Sequence, residues 1–203
     1  PDAYERLRPR LVAALLEGGA EIGLHGSYTA ADGAARLAAE RDRLAALAGP
    51  LAGQRYHYLR VDPHRNLEPL ERLGFAYDGS FGFADAPGFR GGIAQPFRPW
   101  DLARGRPLDL VEIPLALMDA TLGEERYLGL SARDAEGEVM RLLDWAVERG
   151  GGFAILWHNE WFDERAFPGW AALYERTLAG VEERGGVCLS AGDLAEEAAA
   201  WLR

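Results

Sequence analysis

Phe153-Ala154-Ile155-Leu156-Trp157 is apolar throughout and is followed at once by His158-Asn159-Glu160. The run is too short for a typical helix and lacks the alternation of a strand with one wet face. It reads as a strand covered on both faces, the mark of a parallel sheet layered with helices. The same logic extends outward. Upstream, Ser131 with Asp134 opens a helix of the Ser-x-x-acid type, and Val139, Leu142, Leu143 and Ala146 form its buried stripe. Downstream come a helix over 169–184, a strand over 186–189 that buries the Cys188 thiol, and a last helix over 191–202. Toward the N-terminus, strands are predicted over 21–25, 56–61, 75–78 and 110–117. Helices are predicted over 4–17, 30–48 and 67–73, the first with Leu11, Leu15 and Leu16 in its apolar stripe and limited by Pro9. Alternating helices and short strands predict an α/β fold with a mainly parallel sheet, open or closed into a barrel. Residues 82–107 break the rhythm. They are rich in Gly and Pro, carry Phe83, Phe89, Phe97 and Trp100, and read as a long structured loop of the kind that often serves function.

Composition narrows the classes. The 203 residues predict one domain, and 48% hydrophobic with 27% charged residues is ordinary globular usage. All 22 basic residues are arginine, which removes Schiff-base and P-loop lysine chemistry. A formal charge of -10 without a basic stripe argues against nucleic acid as a partner. No apolar run reaches the roughly 18 residues of a membrane-spanning helix. A single Cys permits no internal disulfide and leaves the compartment open. The chain opens at Pro1, inside a helical pattern and with no signal-peptide pattern, and is expected to be cut from something longer.

In parallel α/β folds functional groups collect where strands end. His25, Asp78 and His158 end their predicted strands, His57 lies within another flanked by Arg55 and Arg60, and Asp119 and Thr121 follow the strand over 110–117. Three of four histidines in or at the ends of three strands make a converging polar rim, and neutral imidazole is the commonest metal ligand and a ready acid or base. Each residue also has a plainer reading. Asp78 caps a turn with Gly79 and Ser80, His57 packs as core, Arg55 is a surface charge, and Trp157 fills core. His64 reads as a loop residue. The chain has no Gly-x-Ser-x-Gly elbow, no Gly-x-Gly-x-x-Gly fingerprint and no local His-x-x-x-His or Cys-x-x-Cys pair, so any metal site must draw on several strands.

Glu21-Ile22-Gly23-Leu24-His25, Tyr77-Asp78 with Ser80, and Ile155-Leu156-Trp157-His158-Asn159, in this order, resemble the polysaccharide deacetylase superfamily, also called NodB-homology domains. The resemblance spans nearly the whole chain. It is strongest to a divergent bacterial branch with the stretches Gly88-Phe89-Arg90-Gly91-Gly92 and Met118-Asp119-Ala120-Thr121-Leu122. It implies a distorted (β/α) barrel and a metal-dependent hydrolase acting on non-peptide carbon–nitrogen bonds, which removes acetyl groups from amino sugars. In the family a divalent metal, usually zinc, is held by an Asp and two His, an Asp base helps deprotonate metal-bound water, and a late His protonates the leaving amine.

Residue by residue, His25 matches the first metal His. The second falls on Thr29, a poor ligand. Arg55-x-His57-Tyr58 matches an Arg-x-Pro-Tyr motif, and His57, in place of the Pro, is expected to reach the metal from the next strand. Asp78 matches the carboxylate that tunes the acid, and His158 the acid itself. Arg90, Trp100, Asp119 and Trp157 are the candidate carbohydrate contacts. The family's first strand, with its paired Asp, is missing. The expectation is therefore one deacetylase-like domain over 1–203 without that strand, with an exposed sheet edge that invites homo-oligomers and with weak activity on its own. Two other classes fit the same residues: a non-catalytic glycan-binding relative, and an amidohydrolase acting on a small non-sugar amide.

Overall fold

A computed structural model describes residues 2–202, with side chains from residue 8 onward; the Tyr4 and Leu7 side chains of the first predicted helix lie outside that set. The chain packs as two compact units. One comprises residues up to Ser80, Phe97–Glu112 and the residues from Ser190; the other comprises Phe81–Pro96 and Ile113–Leu189.

The first unit opens with α1 (Asp2–Glu17), which runs through Pro9 rather than starting at it. Among its described side chains Val12 is buried, whereas Leu11, Leu15 and Leu16, the expected stripe, are exposed. Next come β1 (Leu24–Gly26), a 3-10 turn (Tyr28–Asp32) and α2 (Ala34–Ala48). Then β2 (Gly53–Tyr56), a second 3-10 turn (His57–Leu59), α3 (Pro63–Arg72) and β3 (Tyr77–Asp78) follow. Asp62 caps α3 by accepting from the His64 amide, and Pro63 fills the first helical position, where a missing N–H costs nothing. The long loop contributes an antiparallel hairpin, β4 (Trp100–Asp101) with β5 (Arg106–Pro107), before β6 (Val111–Glu112). The strands β1, β2, β3 and β6 form a four-stranded sheet in that order, every pair parallel. Leu24, Leu37, Tyr56, Leu67, Leu70 and Leu110 anchor its core, each fully buried aliphatic side chain worth about 1.5–3 kcal/mol.

The second unit holds β7 (Leu115–Met118), α4 (Asp119–Gly123), α5 (Ala132–Glu148), β8 (Ala154–Leu156), a 3-10 turn (Asn159–Phe162) and α6 (Trp170–Glu183). β7 and β8 pair in parallel. Ser131 caps α5 as its spacing with Asp134 predicts, and Val139, Leu142, Leu143 and Ala146 are its buried face. The chain closes with α7 (Ala191–Trp201), capped by Ser190, in the first unit.

The first strand is Leu24–Gly26 rather than 21–25 and the third Tyr77–Asp78 rather than 75–78, and three departures are larger. The stretch over 110–117 is two strands, because Pro114 has no N–H to give a ladder. The segment over 56–61 leaves the sheet after Tyr56 and turns, which moves His57 out of the strand. Residues 186–189 form no strand among the described residues, and Cys188 is exposed rather than buried.

One close approach fixes the sheet. A Cβ on Gly53 would stand 1.9 Å from a Tyr77 ring carbon, so only glycine lets the ring cross β2. The ring carries its hydroxyl to Glu21 Oε1 at 2.7 Å, and Glu21 Oε2 accepts from the Gly192 amide at the start of α7. Gly53→Ala is therefore expected to lower stability by about 1–3 kcal/mol or more through overpacking, read as a lower denaturation midpoint with unchanged slope in urea.

Candidate functional site

The polar residues at the strand ends form two groups, one in each unit. In the first, His25 is the direct register partner of Arg55. Its Nδ1 lies 3.0 Å from the Arg55 carbonyl oxygen. A carbonyl only accepts, so Nδ1 carries the proton, and in the neutral ring Nε2 keeps the lone pair. His57 Nδ1 stands 2.9 Å from that Nε2, with the ring centroids 4.9 Å apart. The turn after β2 makes this meeting possible. Tyr58 and Leu59 take φ of 55° and 51°, the positive-φ non-glycine residues among those described. Such a conformation costs on the order of 1–3 kcal/mol per residue and persists where surroundings hold it. Here the Tyr58 ring meets the His57 ring edge-on at 4.7 Å. Thr29 is exposed on the 3-10 turn after β1.

Behind this pair runs a buried polar row. Gln54, Asp78 and Glu112 are register partners across β2, β3 and β6, and Asp78 and Glu112 are wholly cut off from solvent. Asp78 Oδ1 accepts from Gln54 Nε2 and, at 2.7 Å, from Ser80 Oγ, while Oδ2 accepts from the Ser80 amide. Its neighbour across the ladder on the other side is Glu112. Burial pushes the Asp78 carboxyl above the usual carboxylate range, against the pull of these bonds and of Arg55. Arg55 Nε donates to the Gly79 carbonyl at 2.7 Å. Burial draws its guanidinium below its ordinary value, while Asp78, Tyr77 and Glu112 oppose the shift.

In the second unit His158 follows β8. Its Nδ1 lies 2.6 Å from Asp119 Oδ1, and its backbone N–H donates to Oδ2. Asp119 is completely buried, and its Oδ1 also accepts from the Ala120 amide at 2.6 Å. The His158 side chain is 40% exposed. Its hydrogen bond to Asp119 raises its pKa above 6.5, aided by the charges of Asp119, Glu160 and Glu124 and opposed by partial burial. With Nδ1 held on the carboxylate, Nε2 is the nitrogen left to exchange a proton with an outside group.

These placements revise several sequence-level assignments. The carboxylate that tunes His158 is Asp119, not Asp78, whose oxygens are taken by Gln54 and Ser80. Asp119 lies beneath His158 and cannot meet a sugar at a rim. Thr121 is likewise buried, its hydroxyl donating to the Ala84 carbonyl. Trp157 packs against Trp170 and Tyr174. Arg90 lies over the Phe81 ring, Phe89 stacks on Trp145 in the core, and Trp100 is 57% exposed on the β4–β5 hairpin. His25 and His57, expected from different strands, do come together. Glu112 and Gln54 were not flagged by sequence, though a lone acid in Leu110-Val111-Glu112-Ile113 was the available signal, because both-face-buried strands are otherwise apolar.

His25 and His57 fit a divalent metal as two imidazole donors, with His25 oriented through its other nitrogen by a backbone carbonyl. A catalytic zinc takes three protein ligands, and among the described residues no group of three or more His, Cys, Asp or Glu could hold a metal. No helix among the described residues is long and apolar enough to cross a membrane.

No family model matches the chain, and no curated protein matches it. A solved structure from Bordetella bronchiseptica, described as a "putative polysaccharide deacetylase involved in o-antigen biosynthesis", aligns over 93% of this chain and 75% of its own, at 19% identity and a TM-score of 0.41. At that distance the likeness carries no weight for the chemistry.

The Asp119–His158 contact has a measurable signature. In Asp119→Asn the imidazole titration of His158, followed by NMR, is expected to move down toward the ordinary histidine value. Because the folded-state pKa is raised, the contact stabilises the wild-type protein fully below the unfolded value of about 6.5 and is lost as pH rises through the folded value. That component of the pH–stability curve is expected to vanish in the variant.

Proposed function

We propose that the chain is a hydrolase of the carbohydrate-deacetylase type, removing the N-acetyl group of an amino sugar, with the distorted (β/α) barrel of that superfamily as its fold. The observation that carries this reading is the half-exposed His158 seated on the buried Asp119. It is supported by the ordered sequence motifs that end at His25, Asp78 and His158.

Hydrolysis of an acetamide adds water across the carbon–nitrogen bond and releases acetate and an amine. The amine leaves poorly as an anion and needs a proton as the bond breaks. His158 fits that task. Asp119 favours the imidazolium, holds Nδ1–H, and so assigns the transferable proton to Nε2. Asp119 beneath the ring acts through it as a positioning residue. His25 and His57 would hold a divalent metal, zinc in the family resembled, which when bound polarises the acyl oxygen and makes a bound water more acidic.

The two-donor set favours a second reading, a glycan-binding relative without turnover. Acetate release from N-acetylated oligosaccharides by the purified chain, with metal content measured in parallel, separates the two. The deacetylase reading expects release that falls by about 10²–10⁴-fold in His158→Asn, and metal that is lost in His57→Ala. Glycan binding by calorimetry with no acetate release and no bound metal would instead establish the second reading. Release from small acetamides but not from oligosaccharides would move the substrate class away from sugars.

A further inference from the structure

The geometry points to a carbohydrate subsite beside the imidazole pair, a platform made by the rings of Tyr28 and Tyr58 that takes one pyranose of an oligosaccharide. The inference rests on the carbohydrate reading above and adds where a sugar next to the reacting one lies.

The platform is built from the two 3-10 turns that follow β1 and β2. Tyr28 opens the first turn, and Tyr58 stands in the middle of the second. Their rings meet edge-on, with centroids 5.9 Å apart and planes at 79°. Tyr58 stands edge-on to His57, which in turn lies against His25. Four rings thus run without a break from the imidazole pair outward. The outer two are open to solvent: Tyr28 is 54% exposed and Tyr58 46%.

Packing does not account for these two rings. Side chains this open bury little apolar area. Tyr58 is also held in a strained place, because a φ of 55° is one that bulky side chains rarely adopt. Leu59 shares the conformation, but its side chain is buried and the packing offsets the strain. The Tyr58 ring has no such compensation, and strain of this kind gathers where ligands are held. Arg60 fixes the arrangement. Its guanidinium lies over the Tyr28 ring at 4.1 Å, donates through Nη1 to the Tyr28 carbonyl and through Nη2 to Asp32 Oδ1 at 2.9 Å. One side chain from the second turn therefore clasps the first, and it covers one face of Tyr28.

A pyranose fits this surface. One of its faces presents C–H groups to the negative face of an aromatic ring, while the hydroxyls at its rim need donors and acceptors. Asp32 supplies an acceptor and Arg60 supplies donors at the same edge, and both are partly open to solvent. An apolar protein surface laid here would strip water from that ion pair and give nothing back, whereas sugar hydroxyls replace the water.

Calorimetry of the purified chain with N-acetylglucosamine and N-acetylgalactosamine oligomers of one to four sugar units tests the inference. Binding is expected to tighten from one unit to several. Tyr28→Ala and Tyr58→Gly are each expected to weaken the oligomers by about 2- to 10-fold, so that the gain with length is lost. Tyr28→Phe and Tyr58→Phe keep the rings and should keep the gain. Glycine adopts a φ near 55° without strain, so Tyr58→Gly should fold with a thermal midpoint at or above that of the wild type. That readout separates loss of the ring from loss of the fold. Oligomers that bind equally well in Tyr28→Ala, Tyr58→Gly and the wild type would overturn the platform and leave the carbohydrate reading in place. So would binding that does not grow with length. A wild-type chain that binds none of these sugars would overturn both.

Discussion

A carboxylate shut away from water must have its charge answered inside the chain or give the charge up. Much of the polar architecture at the strand ends follows from that constraint, met at two aspartates. Asp119 sits under the end of β8 and is answered by the backbone and ring of His158 and by the Ala120 amide. Asp78 sits at the end of β3 and is answered by Gln54 and Ser80. The same side chain yields two different devices. Where the main partner is a half-exposed imidazole, the buried charge is passed outward as a raised proton affinity. Where the partners are themselves buried, it ties β2 to the end of β3.

Strand pairing sets both geometries. Met118 pairs with Leu156, so Asp119 follows its strand by one residue and His158 follows its own by two, which brings ring and amide onto one carboxylate. In the first unit His25 pairs with Arg55, and His57, the first residue past the end of β2, meets the His25 ring. The strands are short, two to four residues in the sheets that carry these groups, so alignment depends on packing beyond the ladder. The Tyr77 ring crossing Gly53 to reach Glu21 is one such contact, and it also secures the start of α7.

Elements with strong local signals were legible in the sequence. The Ser131–Asp134 cap and the apolar stripe of α5 appear where the periodicity puts them, because propensity, capping and burial agree there. The all-apolar run before His158 is a strand of a parallel pair as its composition suggests, but its residues are half-buried rather than covered on both faces. In α1 the expected leucine stripe is exposed, and among the described side chains of the helix only Val12 is buried. Residues 186–189 look like a strand by composition alone, yet no neighbour among the described residues offers a ladder.

By itself the sequence determined the α/β alternation, the parallel pairing and the candidate histidines at the strand ends, because these rest on local periodicity and on where apolar runs stop. Only the tertiary structure decided which carboxylate serves which group. Asp119 lies 39 residues from His158 along the chain, and Glu112 meets Asp78 only through the β3–β6 register. Such meetings are set by how whole strands align and by what each burial excludes, and residue type and spacing do not encode them.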